Sequence, residues 1–220
     1  MLQPPLPPPA AGSPALRTVQ PGTWWRVHRF SHRTGHFAPQ AFNTSGRGHA
    51  RFSPLRVGRR VVPTLYAAQT LEGALMETAL HDLPYPSESH IHDLQRDLQS
   101  DLHASKIAIA EPLHLVDLGK LGLQRMGLRV SQMFETNACD YARTQAWARW
   151  LHGTLPEAQG LHWMCARQPE CAGILLFGDR VPAAAVGAST DPSLHIAHPQ
   201  VLGSLLALLH RLGCGVAPDR

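Results

Sequence analysis

Helix-like and strand-like stretches follow one another along this chain without a repeating order, and that limits its fold more than any other feature. A regular strand–helix–strand alternation would call for a parallel doubly wound sheet or barrel, whereas irregular mixing favours α+β. Trp24 to Arg29 reads as the first strand, with Trp25 and Val27 alternating against Arg26 and His28. Val62 to Ala68 reads as another, entered through Pro63. Thr70 then caps a helix expected to run to about Asp82. Further on, a helix is expected around Ile91 to Leu102, short strands at Ile107 to Ile109 and Leu113 to Val116, and helix and turn over Leu118 to Leu128. A helix from Thr136 to His152, closed by Gly153, precedes strand-like stretches at Leu161 to Cys165 and Ile174 to Phe177. His198 to Leu212 closes the series as a helix, with Pro199 in its first turn and Gly213 beyond its end.

Residues 1–21 are a Pro/Ala/Gly tail, expected to be disordered, and residues 22–220 are expected to form one domain. With 44% hydrophobic residues the chain can bury a sizeable core. No stretch approaches 18 uninterrupted apolar residues, and no basic region precedes an apolar run at the N-terminus. The expectation is a cytoplasmic protein without membrane contact. Cys139, Cys165, Cys171 and Cys214 form no C-x-x-C pair, which fits reduced thiols in a reducing compartment. No Cys/His spacing suggests a metal site. The net charge of +4 is carried almost wholly by Arg, Lys106 and Lys120 being the only lysines. Arg grips phosphates bidentately, but here it is scattered and not gathered in one run, which argues against direct nucleic-acid binding.

Three features near one another bear on chemistry. The loop Asn43 to Pro54 contains Gly46, Arg47, Gly48 and Arg51. Tyr66 follows on a strand. Glu77 lies eleven residues later, on a helix whose stripe of Leu71, Ala74, Leu75, Thr78 and Ala79 is widened by Met76 and Leu80. Glycines let backbone N–H groups approach phosphates, and Arg supplies a charged fork. A Tyr ring packs on a planar heterocycle. A carboxylate among apolar side chains can hold a sugar hydroxyl and stabilise a cationic sugar-like transition state. Each feature also has an ordinary reading: a solvated connection, a core Tyr, and a Glu paired with a structural Arg. The loop matches neither the P-loop pattern nor the Rossmann turn.

The run Phe42-Asn43-Thr44-Ser45-Gly46-Arg47-Gly48-His49-Ala50-Arg51-Phe52-Ser53-Pro54 resembles the RES domain family. So do Pro63 to Ala68, Glu72 to Thr78 with His81-Asp82, Leu115 to Leu118, Tyr141 to Ala148, Gln159 to Trp163 and Leu176 to Val181, in order along the chain. The resemblance implies an ADP-ribosyltransferase-like fold, a mixed sheet core with surrounding helices, and an activity that degrades NAD as a substrate, with no bound cofactor. It also implies a place in a bacterial toxin–antitoxin pair, with an Xre-type antitoxin as partner; a homodimer is a further expectation. By the same resemblance, Arg51 and Arg26 match the family's arginines and would hold the pyrophosphate. Tyr66 would pack on the nicotinamide or its ribose, and Glu77 would stabilise positive charge as nicotinamide leaves. The family pattern has Ser two residues after a Trp; here Trp163-Met164-Cys165 puts Cys165 at that place. Cys keeps the shape but is a poor hydrogen-bond partner, so two further outcomes stand open. Cys165 acts as a thiol nucleophile, though no His has a claim to activate it, or the chain is a degenerate member that binds without turnover. Transfer of ADP-ribose to water, to phosphate or to a protein target stays open at this level.

Overall fold

The computed structural model describes residues 3–9, 12–29, 38–81, 83, 90–136, 138–165 and 168–217. In chain order its strands are β1 (Leu16–Val19), β2 (Gly22–Arg29), β3 (Leu55–Val57), β4 (Arg60–Val62), β5 (Thr64–Ala68), β6 (Ile91–His92), β7 (Leu102–Ile109), β8 (Leu113–Asp117), β9 (Gly160–Cys165), β10 (Gln168–Phe177), β11 (Val186–Ala188), β12 (Leu194–His195) and β13 (Gly215–Val216). The helices are α1 (Leu71–Met76), α2 (Leu94–Leu98), α3 (Lys120–Arg125), α4 (Val130–Phe134), α5 (Tyr141–Thr154) and α6 (Pro199–Arg211). Nine strands form one mixed sheet in the order β1-β8-β9-β10-β5-β2-β7-β11, with β12 also on β7. The β8–β9 pair is parallel and the other pairs are antiparallel. This is the α+β class that the irregular pattern predicts, with the mixed sheet core and surrounding helices that the family resemblance implies. Among the described residues no helix is long and apolar enough to cross a membrane.

The sheet cannot be flat, for a reason of length. Strands β7 and β8 are joined only by residues 110–112, yet they stand five strand spacings apart in the sheet. Five spacings of about 4.8 Å exceed the roughly 14 Å that such a link can span. The sheet therefore folds back on itself. Val19, Ile109, Leu113, Leu115, Ile174 and Val186, drawn from strands across its whole width, share one buried cluster. The helices cover the other face. There α1 and α6 pack with Cys165 and Cys171, while α3, α4 and α5 pack with Trp163, Leu175 and Phe177.

Several expectations change. Residues 1–21 are not a disordered tail throughout: β1 pairs with β8 and becomes the sheet's edge, so β2 is not the first strand. The polyproline stretch is held by its carbonyls. The indole Nε1 of Trp147 donates to Pro5 at 2.7 Å and Arg143 to Pro4 at 3.1 Å. Proline offers no N–H but keeps a full acceptor, and two donors of α5 use it. Arg26 and His28 are buried, at 7% and 5% exposure, because β2 lies mid-sheet. Pro63 separates β4 from β5, so the expected continuous strand is two. The helix expected over Ile91 to Leu102 shrinks to α2, between β6 and β7.

The change that matters for function is in α1. It starts where Thr70 caps it, the side chain accepting from the Gly73 N–H, but it ends at Met76. The Leu75 carbonyl is taken by both the Thr78 and Leu80 N–H groups, which tightens the chain out of the helix. The Thr78 hydroxyl donates to the Val27 carbonyl at 3.4 Å, and His81 Nδ1 takes the Thr78 carbonyl at 2.5 Å. Glu77 is thus the C-cap residue of a short helix rather than a mid-helix position. Asp82, where the helix was expected to end, lies outside the described residues.

Candidate active site

Strand β9 builds the floor of the site. Side chains alternate along a strand, so Trp163 and Cys165 share one face while His162 and Met164 take the other. Trp163 is fully buried and Cys165 nearly so. The indole Nε1 of Trp163 donates to Glu77 Oε1 at 3.1 Å. The single S–H of Cys165 is shared between two acceptors, the Glu77 carboxylate and the Cys171 sulfur. Two donors spaced two residues apart on a strand thus converge on one acidic group. The indole itself is fixed by Phe52, Tyr66 and Phe134, with ring centroids 5.4, 6.0 and 6.2 Å away. Gly173 lies against its face: a Cβ there would stand 2.7 Å from the ring, so only glycine permits this approach.

Cys165 remains a thiol. Its hydrogen bond to Cys171, then burial, then the Glu77 charge all push its proton affinity up. Its raised proton affinity argues against a resting thiolate at Cys165, and its place beside Glu77 is that of an S–H donor. Cys171 shows the opposite behaviour. The hydrogen bond from Cys165, and next those from the Thr70 hydroxyl and the backbone of Thr70 and Gln69, pull it down to about 6 against the cost of burial.

The rim of the site is the irregular segment around Arg51. Arg51 Nη1 donates to the Met133 carbonyl at 2.9 Å and to the Thr136 hydroxyl at 2.5 Å. Its guanidinium lies 5.6 Å from the Phe134 ring and 5.4 Å from the Tyr141 ring. Neither Nη2 nor Nε of Arg51 has a hydrogen bond among the described residues, so part of the fork is available to a ligand. The loop's own carbonyls are satisfied by α5: Gln145 donates to Ala50 and Ser53 at 3.0 and 2.9 Å, and Thr144 donates to Arg51. The Tyr66 hydroxyl accepts from the Phe52 N–H at 3.0 Å. Burial, ahead of every other influence, raises the Tyr66 phenol well above its ordinary value and keeps it neutral.

Arg51, Tyr66, Glu77, Cys165, Thr136 and Tyr141 bound a tight cleft of about 40 Å³. It adjoins a wider groove of about 650 Å³, which shares Tyr66, Glu77 and His81 and carries Arg26, His28, Arg29, Arg47 and His49. A carboxylate therefore sits where a small cleft meets a groove rich in basic groups. The groove's volume falls in the range of small-molecule sites, and the cleft alone does not. Of the five expected residues, Arg51, Tyr66, Glu77 and Cys165 meet in the cleft. Arg26 lines the groove only. Its Nη1 donates to the carbonyls of Pro39 and Ala41 at 2.5 and 2.6 Å, and burial lowers it to about 10. The structure thus gives Arg26 a task in holding residues 39–41.

Sequence reasoning missed the donor role of Trp163, although its spacing from Cys165 on a strand already placed both on one face. It also missed Thr136 and Tyr141 as the frame of Arg51, for which no local signal exists. His81 was missed as well: its Nε2 lies 3.2 Å from the His49 carbonyl and ties the end of α1 to the Arg51 loop.

A family model described as the RES domain matches residues 23–197. Among solved structures, the chain is similar to the crystal structure of the M. tuberculosis MbcT–MbcA toxin–antitoxin complex. The TM-score is 0.56 at 15% identity, over 83% of this chain and 90% of that one, a likeness of fold. No curated protein matches the chain.

Proposed function

The chain belongs to the RES domain family, and from that premise we propose that it cleaves the nicotinamide–ribose bond of NAD, passing ADP-ribose to water or phosphate. The observation that carries this reading is the Glu77 carboxylate, held by Trp163 and Cys165 at the junction of the tight cleft and the basic groove. Loss of nicotinamide leaves positive charge on the ribose, and a fixed carboxylate stabilises that charge as it develops. Glu77 binds a ribose hydroxyl and supplies the charge. The open side of the Arg51 fork, with Arg29 and Arg47 in the groove, meets the pyrophosphate. Tyr66 packs against the nicotinamide end, its hydroxyl occupied in holding the Arg51 loop. Arg26 acts one step back, by fixing residues 39–41.

Cys165 does not argue for a degenerate protein. It makes the hydrogen bond to Glu77 that a serine hydroxyl would make from the same face, only more weakly. The fold's likeness to a chain from a toxin–antitoxin complex supports a toxin restrained by an antitoxin partner; the family resemblance implies an Xre-type antitoxin and a cytoplasmic location.

The test is NAD loss by the purified protein, with and without phosphate, beside Glu77→Gln. The wild type is expected to consume NAD at least about a hundredfold faster than the variant, the scale of a lost charge-stabilising group. Equal rates would remove Glu77 from the chemistry. ADP-ribose found on protein instead of in solution would move the acceptor to a protein side chain.

A further inference from the structure

We propose that Cys165 and Cys171 form a reversible disulfide directly behind Glu77, an oxidative modification site that a small peroxide reaches through the Glu77 cleft. The disulfide itself stands on the thiol geometry alone; its effect on turnover rests on the reading of Glu77 above.

The two thiols are neighbours across an antiparallel hairpin. Met164 pairs with Ala172 and Cys165 with Gln168, and the extra residues 169–171 make an irregularity at that point. Cys171 thereby lies beside the ladder position of Cys165, and the two sulfurs are hydrogen-bonded. Continued at the register of Met164 and Ala172, the ladder would set Cys171 opposite Cys165, and directly opposed residues of an antiparallel pair have Cα atoms about 4.5–5.5 Å apart, inside the span a disulfide needs. Both thiols are free and buried, in one apolar cluster under α1. Helix α1 is pressed on them: a Cβ on Gly73 would stand 2.2 Å from Cys171 Sγ. The Thr70 hydroxyl, which also caps that helix, donates to Cys171 Sγ at 3.3 Å.

The pair is unequal in the way disulfide chemistry requires. Cys171, drawn down by its hydrogen bonds with Cys165 and Thr70, is the more acidic thiol of the two, while Cys165 keeps its proton. Cys165 borders the cleft, whose 40 Å³ admits a molecule little larger than water, and Cys171 lies buried behind it, so peroxide in the cleft meets the Cys171 sulfur past the Cys165 side chain. The Cys171 thiolate attacks one oxygen of hydrogen peroxide. The O–O bond breaks, hydroxide leaves and takes a proton to become water, and Cys171 becomes a sulfenic acid. The Cys165 sulfur then attacks the sulfenyl sulfur. The S–O bond breaks, the Cys165 proton leaves with the oxygen as a second water, and the S–S bond forms. Two thiols lose two electrons, and one peroxide is reduced to two waters. The S–H that met Glu77 is gone, and the carboxylate keeps the Trp163 donor alone.

The experiment treats the reduced full-length chain with hydrogen peroxide, alkylates the remaining thiols in denaturant and digests with trypsin. Cleavage after Arg167 puts Cys165 and Cys171 on separate peptides. The expected result is a cross-linked pair lighter than its separate peptides by two hydrogens and released by dithiothreitol, with Cys214 alkylated. Its rate of formation falls as the pH drops below about 6, where Cys171 gains a proton. Cys171→Ser, and separately Cys165→Ser, are expected to give no cross-link. Alkylated Cys165 and Cys171 after a treatment that oxidises the exposed Cys139 would overturn the proposal, as would sulfinic acid at either site without any cross-link. NAD loss by the oxidised wild type is expected to fall about tenfold and to recover on reduction, the effect of one hydrogen bond to a charged group. Disulfide formation without that change would overturn the link to turnover. A cross-link in a protein whose Glu77→Gln variant consumes NAD normally would keep the disulfide and overturn the reading of Glu77.

Discussion

The floor and the rim of the Glu77 cleft are built in opposite ways. The floor is local and regular: Trp163 and Cys165 are neighbours on one strand, Glu77 ends a short helix, and two hydrogen bonds join them. The rim is irregular and assembled over long distances in sequence. Arg51 reaches Met133 and Thr136, Gln145 reaches Ala50 and Ser53, and Tyr66 reaches Phe52. A helix satisfies its backbone within itself and a strand through its neighbours in the sheet, so their side chains are free to point at a carboxylate. A loop at depth has no such ladder, and the side chains of α5 and β5 must supply the missing partners. The floor is thus organised around chemistry, and the rim spends most of its polar groups on staying folded.

The widest separation between them is expected from Arg51→Ala. It removes two charge-assisted hydrogen bonds and two ring contacts, and it leaves the Met133 carbonyl without its donor. A destabilisation of about 3 kcal/mol follows from such losses at a partly buried site. Urea unfolding measures it, and hydrogen exchange over residues 130–136 is expected to rise alongside. If stability is unchanged while NAD turnover collapses, Arg51 belongs with the floor and the comparison fails.

The same contrast governs what the sequence displays. Trp163 and Cys165 sit two apart in a strand-like run, so their shared face is legible from spacing alone. Glu77 stands out as one carboxylate among apolar residues. The extent of its helix is not legible, because the Thr78 and His81 side chains and the doubly used Leu75 carbonyl end α1 early, and periodicity is blind to such competition. The rim is legible only as a Gly/Arg composition. Nothing near Arg51 announces Thr136 or Gln145. The tail misleads for a related reason: proline-rich composition argues for disorder, but carbonyl acceptors can be captured by distant donors such as Trp147. The family resemblance makes Arg26 a ligand contact, and its strand pattern does not display the second task the fold gives it, holding the carbonyls of Pro39 and Ala41 from a buried mid-sheet position.

A smaller effect, of a different kind, is expected from Trp163→Phe. The ring packing among Phe52, Tyr66 and Phe134 is largely kept, and the N–H to Glu77 is lost. A hydrogen bond to a charged group is worth about 1.5–3 kcal/mol, so NAD turnover is expected to fall tenfold or somewhat more. The unfolding midpoint is expected to shift less than it does for Arg51→Ala. A variant that loses stability and keeps turnover would show that the indole N–H serves packing and not the carboxylate.

The smallest effect is expected from Cys165→Ser, and its sign is informative. Serine places a stronger donor on the same face of β9, toward the same carboxylate, so turnover is expected to rise, by less than about threefold, since one weak donor is exchanged for a better one. Like the S–H it replaces, the single O–H is shared between Glu77 and Cys171, so Cys171 keeps a hydrogen-bond donor. The cost is a polar atom in the apolar cluster under α1, so a slight loss of stability is expected with the gain. Steady-state NAD loss beside urea unfolding separates the two. A fall in turnover at intact stability would mean that the thiol's larger radius, and not its hydrogen bond, sets the position of Glu77.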